Sequence, residues 1–463
     1  MRKTCTLWMV PLLICSLLVT GCSPKWKKQQ NEPKYTQTVT AKPGEEEMET
    51  GMSEEDAQAA ALEYLGTMTL QQKIGQLFMV NLELLDSTQG DYYEHQKVTR
   101  EMKRTLQQYP VGGVILFSRN IGTRKQTHHL IKRLQANSRI PLYVAVDEEG
   151  GDVSRIASND KMKTTKFPSA QEIGQTQTEN DVYNMGITIA REIHKLGFNL
   201  DLAPVADVKT SDMNQEIGTR SFGDDPDKVA DMVSAFVTGM QEQNISSTLK
   251  HFPGQGSSQG DTHEGSVNID SSINQMRKVD FVPFKAGIEA GADFVMVSHI
   301  SVSKVTETSE PASMSELIMR TILRDELGFE GLVITDAFDM ASITEDYSAG
   351  EAALKSLEAG ADIVMMPQDL PEAFEAVENA VSSGEYDENL INDSVRRILA
   401  KKFQRGIMTL DDLTVAKQLV IETPTPEPQA TASPATGNDS KDDGNASGEE
   451  SDGKDTGSSP DAQ

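Results

Sequence analysis

Ile245-Ser246-Ser247-Thr248-Leu249-Lys250-His251-Phe252-Pro253-Gly254-Gln255-Gly256-Ser257-Ser258-Gln259-Gly260-Asp261-Thr262-His263 reads as one structural sentence. The run Ile245–Leu249 predicts a strand. Pro253, Gly254, Gly256 and Gly260 then forbid regular structure, so the strand empties into a long, Gly-rich loop. That loop carries Lys250, His251 and the pair Asp261-x-His263. A carboxylate two residues from an imidazole can accept a ring N–H, fix the tautomer and favour the charged ring. The other nitrogen is then left to move protons.

Working outward, similar short apolar runs recur: Gln76–Leu82, Val111–Phe117, Leu142–Val146, Asn199–Val205, Phe294–Ile300, Leu332–Thr335 and Ile363–Met366. With Ile245–Leu249 they make eight. Their unbroken apolar character suits strands buried on both faces, as in a parallel sheet. Helix-like stretches lie between them, including Asp181–Leu196, Pro226–Gln243, Ser315–Leu327 and Ser348–Ala359. The expectation is α/β, a single (β/α)8 barrel. An open doubly wound sheet is the rival, but no Gly-x-Gly-x-x-Gly follows the first run, so a dinucleotide site has no support.

The ends divide from this body. Residues 1–22 read as an export signal, with Arg2 and Lys3 ahead of an apolar core. Val19-Thr20-Gly21-Cys22 resembles a lipobox, which makes Cys22 the expected lipidation site; the alternative is an ordinary secretory signal. Cys5, Cys15 and Cys22 are the only cysteines, so a processed chain has no disulfide and no cysteine nucleophile. Residues 23–52 form a polar tether whose Lys25, Lys27 and Lys28 would meet anionic headgroups. Residues 53–408 are the expected catalytic barrel, opened by the capping-box-like Ser53-Glu54-Glu55-Asp56. A short segment, 409–423, follows. The tail, 424–463, has nine acids against two lysines and no large apolar residue, which predicts disorder. A net charge of −28 argues against nucleic-acid binding. The expected location is therefore extracytoplasmic, lipid-anchored to a bacterial membrane, as a monomer.

Barrel chemistry gathers where strands end and the following loops begin. The third run is followed by Asp147-Glu148-Glu149-Gly150-Gly151-Asp152-Val153-Ser154-Arg155, the fourth by Asp207 and later Arg220, the fifth by Lys250, His251, Asp261 and His263. His299 ends the sixth run and Asp336 the seventh. Asp336 could cap a helix; the functional reading is a nucleophile or a stabiliser of a cationic transition state. A carboxylate facing an acid/base group suits glycoside cleavage through an oxocarbenium-like state. A protonated His263, favoured by Asp261, would donate to the leaving oxygen and, once neutral, deprotonate water. Asp147, Arg155, Arg220, Lys250 and His251 would grip sugar hydroxyls, although each arginine could equally be a structural salt bridge. His299 either lines the pocket or is a satisfied buried histidine. His95, His128, His129 and His194 read as surface or capping residues. A metal held by His251, His263 and His299 is conceivable but lacks ligand spacing, so neither metal nor cofactor is expected.

Taken with Met68–Gln76, Gly112–Phe117 and Ile217-Gly218-Thr219-Arg220-Ser221-Phe222-Gly223, these blocks resemble glycoside hydrolase family 3, in its β-N-acetylglucosaminidase branch. The resemblance implies a retaining mechanism with Asp336 as nucleophile, His263 as acid/base and Asp261 as its dyad carboxylate. Asp147, Arg155, Arg220, Lys250 and His251 then correspond to the positions that hold terminal N-acetylglucosamine, and no metal is implied. The implied substrates are cell-wall muropeptides or chitin-type oligosaccharides. Two positions depart: Gln255 stands where many relatives have His, and Asp152 where many have Arg. Two alternatives remain open, phosphorolysis by the same dyad and a lipoprotein that binds glycan without cleaving it.

Overall fold

The computed structural model describes residues 34–38, 51–90 and 92–422; Cys22, the export signal and the acidic tail lie outside them. Eight parallel strands close into a barrel in strict sequential order. They are β1 (Phe78–Val80), β2 (Gly113–Ile115), β3 (Tyr143–Val146), β4 (Leu200–Asp201), β5 (Ser246–Phe252), β6 (Phe294–Val297), β7 (Leu332–Ala337) and β8 (Ile363–Met365). Closure is made by Phe78 of β1 opposite Val364 of β8. Each expected run holds one strand. Where the fit is loose, the reason is local. Only Leu200 and Asp201 of Asn199–Val205 join the ladder continuously, and β5 extends past Leu249 to Phe252. Lys250 and His251 therefore stand on a strand, not in a loop, and inherit its rigidity.

The expected helices form, with ends set by capping. Thr178 caps Glu179–His194, accepting from the Asp181 N–H while Asp181 reaches back. Asp225 caps Pro226–Glu242, which has proline in its first turn. Ser53 caps Glu54–Leu65 through the Asp56 N–H. The stretch Leu317–Glu326 winds as a π-helix. The strands are buried on both faces, as their composition requires, and Tyr143, Phe294 and Phe252 are among the largest fully buried side chains.

At the barrel's N-terminal end, acids that precede strands tie the helix Glu388–Gln404 and its flanks to the barrel. Asp293, ahead of β6, receives two hydrogen bonds from Arg405 at 2.6 and 3.1 Å and an ion pair from Lys401 at 3.0 Å. Asp362, ahead of β8, is held by Arg324 at 2.6 Å and Arg397 at 2.8 Å. Both carboxylates are fully buried, yet these cations hold them below the ordinary Asp range against the opposing effect of burial.

Residues 34–38, inside the predicted tether, lie against the barrel's outer wall. Tyr35 is buried and stacks on Tyr183 with centroids 5.2 Å apart. Asn180 and Asn184, one turn apart on the Glu179–His194 helix, accept the N–H groups of Thr36 and Thr38, each at 2.7 Å.

His95 corrects the expectation of a surface or capping role. It is 1 % exposed, in the loop after β1. Its carbonyl accepts from Asn120 Nδ2 at 3.2 Å, and its ring packs edge-on against Tyr93 at 4.8 Å. The polar sequence around it carries no trace of this cover, which comes from the β2 loop. His128, His129 and His194 are exposed, as expected.

Candidate active site

The barrel's C-terminal end brings the singled-out residues together. Asp147 follows β3, Lys250 and His251 lie on β5, and Asp336 is the penultimate residue of β7. Lys250 is the hub. Its side chain is 3 % exposed, and its Nζ lies 2.8 Å from Asp147 and 2.7 Å from Glu149. Arg220, on the loop after β4, grips Glu149 with both fork nitrogens, Nε at 2.9 Å and Nη2 at 2.7 Å. Arg155 stands 3.6 Å from Asp147. Burial alone would raise both carboxylates; Lys250 and Arg155 hold Asp147, and Arg220 and Lys250 hold Glu149, below their ordinary range. The arginines are thus in salt bridges and at the mouth at once.

His251 is fixed by Asp207, which accepts from Nδ1 at 2.7 Å and from the His251 backbone N–H at 3.2 Å. Its Nε2 lies 3.4 Å from Arg220 Nη2, which can only donate. Nε2 is then placed as an acceptor toward Arg220. Asp152 accepts from Thr219 Oγ1 at 2.6 Å, steadying the loop that carries Arg220. Gln255 is 1 % exposed, and neither side-chain amide atom has a hydrogen-bond partner among the described residues.

The Asp261–His263 pair forms as its spacing predicts. His263 Nδ1 lies 2.8 Å from Asp261 Oδ1, which also accepts the His263 backbone N–H at 2.9 Å. Sequence reasoning missed a second carboxylate. Glu216 Oε1 lies 3.5 Å from the same Nδ1, and Glu216 also accepts from the Thr262 N–H at 3.1 Å and hydroxyl at 2.5 Å. Asp261 is the nearer acceptor, but its side chain is 38 % exposed against 6 % for Glu216. Water screens the buried charge less, so Glu216 acts on the ring more strongly. The Glu216 hydrogen bond, with Asp261 adding to it and burial opposing, raises the imidazole to about 9. Burial pushes Glu216 up, but His263 and Thr262 more than reverse this and bring it down to about 2. At neutral pH the ring is therefore an acid with its proton in place. The oxygen and nitrogen atoms of Glu216, Asp261 and His263 lie within 4.8 Å of one another, the one such grouping among the described residues that could hold a metal ion. Asp261 Oδ1 and Glu216 Oε1 both face His263 Nδ1. The trio His251, His263 and His299 forms no such group.

His299 resolves as support. It is buried, with Nε2 donating to the Ala337 carbonyl at 2.9 Å and Nδ1 accepting from Ser313 at 2.9 Å. It thus braces the residue next to Asp336. Burial lowers its basicity, against the opposing Asp336 charge. Asp339, three residues past Asp336, is lifted to about 6 by burial and then by the Asp336 charge, while Arg119 and His263 act the other way. Asp336 and His263 thus both act on the charge of Asp339 and of His299. Glu149 and Asp207 stood in loop segments already singled out, without a role; Glu216, four residues before Arg220, was not singled out.

Residues 69–400 match the model of the Glycosyl hydrolase family 3 N terminal domain. Beta-hexosaminidase A of Pseudoalteromonas piscicida is 34 % identical over 286 residues, 58 % of this chain and 47 % of that protein, so the chain spans about half of that relative. A beta-hexosaminidase of Stenotrophomonas maltophilia (strain R551-3) is 35 % identical over 293 residues, 61 % of this chain and 84 % of that protein. Among solved structures, a family 3 beta-N-acetylglucosaminidase from Paenibacillus sp. FPU-7 superposes with a TM-score of 0.68 at 29 % identity, covering 76 % of this chain and 68 % of the other. A family match across most of the barrel, on the fold and ionisable cluster described above, places the chain in glycoside hydrolase family 3.

Proposed function

We propose that this glycoside hydrolase is a retaining, exo-acting β-N-acetylglucosaminidase that removes terminal N-acetylglucosamine from cell-wall muropeptides or chitin-type oligosaccharides. The observation that carries the reading is the Asp261–His263 hydrogen bond at the barrel mouth, at the same end of the barrel as Asp336. The activities for which the relatives are named point the same way.

In the first step Asp336 attacks the anomeric carbon as the bond to the leaving oxygen breaks, and His263 Nε2 gives that oxygen its proton. In the second the neutral ring takes a proton from water, whose oxygen displaces Asp336. The ion-paired set Asp147, Lys250 and Arg220, with Arg155 and His251, supplies fixed donors and acceptors for the sugar hydroxyls. We further propose that Cys22 carries lipid and holds the enzyme outside a bacterial membrane.

Turnover of aryl β-N-acetylglucosaminide against aryl β-glucoside, each with and without phosphate, tests the reading. Strong preference for the first, indifferent to phosphate, is expected. Dependence on phosphate would assign a phosphorylase, and binding without turnover a glycan-binding protein.

A further inference from the structure

Glu216 carries a charge that the two-step chemistry does not itself require. His263 Nδ1 already has a partner in Asp261, at 2.8 Å. Glu216 Oε1 lies 3.5 Å from the same nitrogen, and its side chain is almost wholly buried. Its position is fixed. Thr262 donates to it through both N–H and hydroxyl, and the Glu216 carbonyl accepts from Arg220 Nη1 at 3.3 Å. Asn214 ties the loop after β4 to the loop after β5: its Oδ1 accepts the Ile217 N–H at 2.8 Å, and its Nδ2 donates to the Gln255 carbonyl at 2.7 Å. A carboxylate held this way cannot swing into water, and its charge is weakly screened.

The charge at the mouth changes during the reaction. Before the first bond breaks, protonated His263 offsets one of its two carboxylates. Once the ring has given its proton away, Glu216 and Asp261 are both unbalanced. Asp336 loses its own charge by joining the sugar. Asp339, lifted by burial and then by the Asp336 charge, is released from the second effect and ionises more fully. The neighbouring cations are already engaged. Lys250 stands between Asp147 and Glu149, Arg220 holds Glu149, Arg155 faces Asp147, and Arg119 is paired with Glu83. The nucleophile of the second step therefore meets a negative mouth as it arrives.

We propose that Glu216 selects that nucleophile, admitting neutral water and turning away anions such as phosphate. The inference rests on the retaining-glycosidase reading and adds to it a residue that decides between hydrolysis and phosphorolysis. In hydrolysis the water oxygen bonds to the anomeric carbon, one water proton passes to His263 Nε2, and the bond from the carbon to Asp336 breaks to restore the carboxylate. Phosphate would form the same bond through one of its oxygens, transfer no proton and release the sugar 1-phosphate. That route needs no base, and the buried charge raises its barrier.

The test traps the glycosyl-enzyme. The full chain and its Glu216→Gln variant turn over an aryl β-N-acetylglucosaminide with azide and phosphate present together, at constant ionic strength and at a pH where phosphate is doubly charged. Chromatography separates free sugar, glycosyl azide and sugar 1-phosphate. A weaker base at His263 would favour both anions over water alike, so the deciding quantity is the ratio of 1-phosphate to azide product, which does not depend on overall rate. It should rise about tenfold or more in Glu216→Gln, because the lost charge repels a dianion about twice as strongly as a monoanion. Glu216→Asp, which keeps the charge, should stay near the parent ratio. An unchanged ratio in Glu216→Gln, no anion product from it, or abundant 1-phosphate from the parent would overturn the proposal. A parent that releases no N-acetylglucosamine from the aryl glycoside would reject the glycosidase reading itself.

Discussion

At the scale of single residues, the proposed mechanism separates two jobs that a carboxylate pair usually shares. Asp336 is the candidate for attack, and Asp336→Ala should abolish turnover of every β-N-acetylglucosaminide. His263→Ala should reduce kcat/KM for a saccharide leaving group by about 100-fold or more, yet harm a dinitrophenyl glycoside far less, because only the former needs a proton. Equal losses would remove His263 from the acid role. Glu216 makes a sharper prediction. The ring's raised basicity keeps the acid form populated up to about pH 9, so the alkaline limb of kcat/KM should lie near there. Glu216→Gln keeps the shape but removes the charge, and the limb should move toward acid by roughly one unit or more. A pH profile that does not move would show that Asp261 alone sets the ring. Asp261 was legible because it lies two residues from its histidine. Glu216 was not, because its partnership with His263 spans the gap between two loops, and no periodicity records that.

At the scale of elements, parallel strands flanked by helices must be apolar on both faces, so each announces itself as a run. The runs overstate strand length because residues beyond the ladder are buried by helices. β5 is the reverse case: Lys250 and His251 look polar enough to end a strand, yet Asp147, Glu149 and Asp207 satisfy their charge and hydrogen bonding and let the strand continue through them. The acids ahead of β6 and β8 have a different task, which mutation can measure. Asp293→Ala leaves Arg405 and Lys401 facing an apolar gap and should cost about 3–5 kcal/mol. For a domain of this size that lowers the melting temperature by roughly 10 °C, readable by circular dichroism. The same carboxylate's stabilisation is complete above its unfolded value near 4. It is lost only as pH falls below that toward the depressed folded value, so the difference between parent and variant should narrow in acid.

At the scale of the molecule, the closed barrel accounts for residues 78–365, and among the described residues helices precede it from Glu54 and follow it as far as Glu422. The helix Leu410–Glu422 continues past the expected end of the barrel and leaves Leu410, Val415, Leu419 and Val420 largely exposed. The contact at residues 34–38 lay within a stretch whose lysines and glutamates read as tether. The signal available was Tyr35 alone, an aromatic in polar surroundings. Tyr35→Ala should undock this stretch. Limited trypsin digestion followed by mass spectrometry should then show faster cleavage after Lys34 than in the parent, and unchanged rates would mean the contact contributes nothing.

That contact also sets where the preceding segment takes hold of the barrel. From Cys22 to Lys34 the backbone can stretch at most about 40 Å. With Cys22 acylated as proposed, the molecule is moored by its flank rather than by an end. A pull through residues 34–38 would then reach the barrel at the Glu179–His194 helix on its outer wall, away from the mouth where Lys250 and Asp336 stand.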